Sequence, residues 1–181
     1  MRALIYIIQA LSMLVTFVFL LRFWLPWVGA DFRNALAQGI LQITSPVINP
    51  IRRVVPSIGR IDTATVLVLF AIQAVTFLLI ATLSGGQITA KSILILSAIG
   101  LAQQSIRIFM FAIIIRIVLS WVAPHVYNAA TALIASLTDP ILRPFRRLIP
   151  PIGGIDISPV FAIIGLGALD ILVTDLAGLA F

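Results

Sequence analysis

The chain carries the same segment twice, 94 residues apart. Laying Arg22–Leu78 over Arg116–Leu172 needs no gap and pairs 20 identical residues in 57. The densest part runs Pro46-x-x-x-Pro50-x-Arg52-Arg53-x-x-Pro56-x-Ile58-Gly59-x-Ile61-Asp62 and returns as Pro140-x-x-x-Pro144-x-Arg146-Arg147-x-x-Pro150-x-Ile152-Gly153-x-Ile155-Asp156. A duplicated unit of this size is one building block used twice, so the fold must be two related halves.

The solvent of those halves follows from composition. With 61% hydrophobic and 10% charged residues and a mean hydropathy of +1.19, the chain has more apolar surface than a soluble domain of 181 residues can bury. The expectation is an all-α membrane protein. Roughly 20 helical residues cover a hydrocarbon core of about 30 Å, and four runs qualify: Ala3–Val28, Thr63–Leu83, Ser92–Val122 and Ile157–Ala180. The first opens Met1-Arg2 like a secretory signal, but it is too long and lacks a small-residue cleavage site. The third is too long for one upright span, which implies tilt or a start along the surface. The chain therefore divides into a first repeat over 1–84, a short external loop at 85–91 and a second repeat over 92–181.

Arginine sets the expected orientation. Arg33, Arg52, Arg53 and Arg60 lie between the first two spans and Arg143, Arg146 and Arg147 between the last two, whereas the Ser84–Lys91 connection offers one lysine. By the positive-inside rule the basic segments face the cytoplasm and both termini lie outside. Each unit holds two spans, so the copies are expected to point the same way, related by an axis along the membrane normal.

Between the spans of each unit, Phe32, Leu36, Ile40, Ile43 and Val47 recur at helical spacing, as do Val126, Ala130, Leu133 and Leu137 in the second copy. These stripes predict short amphipathic helices lying in the interface. The prolines that follow, at 46, 50 and 56 and at 140, 144 and 150, predict that no helix continues through them and that a stiff Pro/Arg hairpin sits at headgroup depth. Arg52, Arg53, Arg143, Arg146 and Arg147 suit lipid phosphate or a protein partner, or serve only to orient the chain. Asp62 and Asp156 each precede a span, where an aspartate caps the helix; the alternative is a shared cation site across the pseudo-twofold axis.

Charge inside the spans is confined to one copy. Arg107 and Asp170 are expected at similar depth and able to pair, with Gln103 one turn from Arg107, while Met13 and Thr76 occupy the matching positions of the first copy. The alternatives are an ion path and a buried strut. Trp24, Trp27 and Trp121 read as an aromatic belt. No metal or other cofactor is expected, since His125 is the sole histidine and cysteine and glutamate are absent. Gly153-Gly154 reads as a turn, and no nucleophile setting points to an enzyme. The net charge of +6 is absorbed by topology, which argues against nucleic acid.

The doubled motif resembles the YggT family of small integral membrane proteins, over nearly the whole chain. The resemblance implies a bacterial inner-membrane protein of undefined activity, with plastid relatives in thylakoid or envelope membranes. It further implies links to osmotic stress and potassium handling, to cell division, and in plastids to cytochrome assembly and nucleoid distribution. Two readings follow. One is a scaffold or assembly factor that binds anionic lipid or a membrane partner, with a homo-oligomer possible. The other is a component of cation or osmotic-stress transport built on Asp62, Asp156, Arg107 and Asp170.

Overall fold

The computed structural model describes residues 1–122, 126–149 and 156–179, and these form six helices with no strand among them. They are α1 (Arg2–Trp24), α2 (Ala35–Val54), α3 (Thr63–Ser84), α4 (Ala90–Val122), α5 (Ala129–Leu148) and α6 (Ser158–Leu179). Four of them, α1, α3, α4 and α6, are long and apolar enough to cross a membrane. Their ends fall where local chemistry stops a helix. Pro26 and Gly29, which takes φ 67°, follow α1, and Gly85 closes α3 in the left-handed region at φ 68°.

Side-chain bonds show the spans pairing antiparallel. Ser12 meets Thr76 and Arg22 meets Asp62 between α1 and α3, while Gln103 meets Thr174 and Arg107 meets Asp170 between α4 and α6. The short loop after Gly85 lays α3 against α4, which joins the halves. Both connecting helices therefore sit at one end of the bundle, where α2 also touches α5. Three apolar clusters hold this arrangement: Phe19, Ile48 and Leu69 of the first half with Leu101 and Ile108 of α4, Ile113, Leu142 and Ala162 in the second half, and Leu25, Ala37, Phe109, Leu133 and Leu137 between the halves.

Two expectations need correction. The prolines do not stop the surface helices, because Pro46 and Pro50 lie inside α2, and Pro140 and Pro144 inside α5. Each pair is spaced by four and exposed, so the carbonyls it frees open outward, where water or headgroups reach them. The helices consequently run 20 residues each and carry the arginine pairs in their last turns. The hairpin shrinks to Ile58–Ile61, closed by mutual backbone bonds of 3.1 and 3.0 Å. Gly59 there has φ 60° and Arg60 does not follow it into positive φ, the pattern of a type II′ turn. Its counterpart, with Gly153 and Gly154, lies outside the described residues, as does His125.

Of the expected apolar stripe, Phe32, Leu36, Ile43 and Val47 are exposed and Ile40 is partly buried. Ala37, Thr44 and Ile48 pack inward, while Leu36, Ile43, Val47 and Val54 form a separate apolar face that the protein leaves open. Trp24, finally, is no belt residue: its indole donates to the Ser105 hydroxyl at 3.1 Å and its ring packs edge-on against Phe109 at 5.0 Å. Trp27 and Trp121 remain exposed.

Candidate functional site

The basic end is organised by two arginines at equivalent points of α1 and α4. Arg22, only 6% exposed, donates to the Thr44 hydroxyl at 2.7 Å, the Ser45 hydroxyl at 3.2 Å and the Leu41 carbonyl at 3.3 Å. Arg116 donates to the Thr138 hydroxyl and to Asp139 Oδ1, both at 2.6 Å. Thr44 and Thr138 in turn donate to carbonyls four residues back, so each hydroxyl both gives and accepts a bond. These contacts tie each surface helix to the end of a span. Sequence reasoning passed over all four residues, although Arg22 and Arg116 open the gap-free alignment and Thr44 and Thr138 are identical two residues before its densest part.

Asp62 stands at the N-cap of α3 yet makes no side-chain capping bond. Its Oδ2 instead accepts from Arg52 and from the Thr65 hydroxyl, the latter at 2.7 Å, with Arg22 Nε at 3.8 Å. Guanidinium and hydroxyl donors have displaced the amides, since charged donors make the stronger bond. Asp156 does accept an amide, from Ser158 at 3.0 Å, and its other oxygen takes Arg146 Nε at 2.9 Å. Arg146 also reaches Asp139 at 3.3 Å. Burial works against charge on Asp62, but the bonds from Thr65 and Arg52 outweigh it and hold the carboxyl below the ordinary carboxylate range. Asp156 is lowered in the same sense, against burial, by Ser158 and Arg146.

The five candidate headgroup arginines thus separate. Arg52 and Arg146 are committed to aspartates, whereas Arg53, Arg143 and Arg147 are exposed and make no ion pair among the described residues, and the same holds for Arg33. Arg33 and Arg143 line a groove of about 900 Å³ between the turn after α1 and α5. Asp31 and Asp139 share it, but Asp139 is already held by Arg116 and Arg146. Trp27, Val28 and Pro140 line this groove and also an apolar crevice of about 700 Å³ that runs between the halves along Phe70, Ala102 and Leu169. The volumes are in the range that takes a small ligand or a lipid chain.

Away from this end, Arg107 Nε approaches Asp170 Oδ2 at 3.7 Å, and the Gln103 amide donates to the Thr174 hydroxyl at 2.8 Å, one turn from Asp170. The expected polar cluster assembles, with Thr174 as an unforeseen member. It is not a buried strut, because the Arg107 side chain is 60% exposed. Among the described residues no three His, Cys, Asp or Glu side chains gather as a metal site.

The family description CCB3/YggT matches residues 1–83 and again 95–177. An uncharacterised protein of Pseudomonas aeruginosa is 43% identical over 175 residues, covering 96% of this chain and 89% of its own length. The protein YggT of Escherichia coli K12 is 34% identical over 173 residues, covering 91% and 85%. A chloroplastic YlmG homologue of Arabidopsis thaliana is 38% identical over 63 residues, 35% of this chain and 25% of that one. No solved structure matches.

Proposed function

From the premise that this chain belongs to the CCB3/YggT family, we propose that it is a multi-pass scaffold or assembly factor of the bacterial inner membrane that holds anionic phospholipid at its cytoplasmic face. In this reading the protein is two parallel repeats of two spans each, with α2 and α5 lying in the interface and both termini outside. It acts without enzymatic chemistry.

The observation that carries the reading is the joined groove and crevice. Two guanidiniums without an ion pair among the described residues, Arg33 and Arg143, stand over a polar groove that continues through Trp27, Val28 and Pro140 into an apolar channel between the halves. A phospholipid has that division of chemistry, a phosphate for the arginines and a chain for the crevice. The open apolar face of α2, Leu36, Ile43, Val47 and Val54, suits a helix whose outer side rests in acyl chains. Arg53 and Arg147 then meet headgroups beyond the site, each contributing about 1 kcal/mol near an anionic surface.

Native mass spectrometry of the protein extracted from a mixed bilayer tests this. The wild type should retain an anionic phospholipid, Arg33→Ser/Arg143→Asn should lose most of it, and Arg53→Ser/Arg147→Ser should keep it. Equal retention by all three proteins defeats the assignment. Potassium flux in liposomes that Asp62→Asn/Asp156→Asn abolishes would instead install the transport reading.

A further inference from the structure

The least comfortable residue in the molecule is Arg107. Arg116, nine residues further along α4, is level with the surface helix α5 through its bond to Thr138, which at about 1.5 Å per residue puts Arg107 about 14 Å deeper. That is near the middle of a hydrocarbon core of about 30 Å. At such a depth a guanidinium with five donors needs partners, and the described residues supply one contact at 3.7 Å, longer than a hydrogen bond. Asp170 has the converse problem. Its Oδ1 is shielded from solvent and accepts no hydrogen bond among the described residues.

Arg107 lies on an open face, with Asp170 a quarter exposed beside it. Arg107, Phe111, Ile114 and Val118 form an exposed line along α4. Beside it on α6, Gly167 has nothing within reach of a side chain placed there, so a neighbouring helix can approach closely. The first repeat has no such face. At its equivalent depth Met13 replaces the arginine, and Thr76, 8% exposed, is bonded to Ser12 at 2.7 Å.

We propose that the α4–α6 face centred on Arg107 and Asp170 is an intramembrane interface whose occupant is a second copy of this chain. Charge decides the occupant. A patch of one sign would call for a partner of the other, but this one carries a cation and an anion at one depth. A twofold axis along the membrane normal preserves depth, so it sets each Arg107 against the other copy's Asp170, whose carboxylate is open on the side away from its shielded oxygen. Because the first repeat lacks the pair, the contact is used once per chain, and the assembly closes as a dimer.

The chain contains no cysteine, so a single introduced thiol reports the contact cleanly. With the full-length protein in bilayers, Phe111→Cys should give a disulfide-linked dimer on mild oxidation, and Leu14→Cys, exposed on the first repeat, should not. Adding Arg107→Met/Asp170→Thr, the residues of the first repeat, should lower the linked fraction about tenfold, the loss expected when symmetric polar contacts go together. The swap Arg107→Asp/Asp170→Arg should restore it, which separates lost pairing from lost folding. Linking equal at both thiols, linking unchanged by the Met/Thr substitutions, or a swap that links no better than they do overturns the proposal. So does a different protein found cross-linked at Phe111→Cys in place of a second copy.

Discussion

The two halves lock their surface helices with the same arginine and threonine but balance the charge differently. In the first half one carboxylate, Asp62, serves two guanidiniums, Arg22 at 3.8 Å and Arg52 by hydrogen bond. In the second, Asp139 stands where the first has Ser45, and Arg116, Asp139, Arg146 and Asp156 form a chain of alternating sign. The difference also tracks burial, since Arg22 has 5% of its side chain exposed and Arg116 has 27%. A repeat can thus keep its geometry while moving its counter-charges, and it tolerates loss best where the acid is doubled.

The sharpest way to break this comparison is to neutralise each aspartate. Asp62→Asn leaves a buried arginine without its counter-charge and should cost about 3 kcal/mol, whereas Asp156→Asn, exposed and backed by Asp139, should cost about 1 kcal/mol or less. Reversible unfolding in mixed micelles measures both, and equal losses would dissolve the distinction. Exchanging the variable position comes next. Asp139→Ser should destabilise the second half by about 2 kcal/mol, because Arg116 loses a charged hydrogen bond, and Ser45→Asp should recover about half of the Asp62→Asn loss in a double-mutant cycle. No coupling in that cycle would mean that position 45 does not address Arg22.

Trp24 supplies a smaller contrast. Trp24→Phe removes the donor to Ser105 and should cost about 1 kcal/mol, while Val118→Phe at the matching, half-exposed position should change stability by less than about 0.5 kcal/mol. Unfolding of the two variants side by side is the check. The smallest effect is on pH. Because both aspartates are lowered when folded, their contribution is complete above the ordinary carboxylate value near 4 and declines as pH falls through the folded values. A stability profile from pH 7 to 3 should therefore fall on the acid side, less steeply in Asp62→Asn. A rise with acid would reverse the assigned sign.

Much of the architecture is legible in the chain itself. The four long apolar runs coincide with α1, α3, α4 and α6 to within a few residues, because a hydrophobic run of spanning length leaves few alternatives to a helix. The depth count that paired Arg107 with Asp170 succeeded for a similar reason, since helical rise is fixed. The prolines misled because an interior proline weakens a helix without always ending it, and on an exposed face the freed carbonyls have water or headgroups to meet.

Sequence by itself determined the four long apolar helices, the doubling and the end of the bundle at which arginine collects, all of them properties of local pattern and composition. Only the tertiary structure decided which arginine is committed and which is free, because an ion pair such as Arg52 with Asp62 depends on where two elements meet. It also decided that Ile43 is 72% exposed while Leu137, the same position of the repeat, is 3% exposed. Leu137 faces the apolar cluster between the halves while Ile43 faces away from it, and burial depends on what lies alongside.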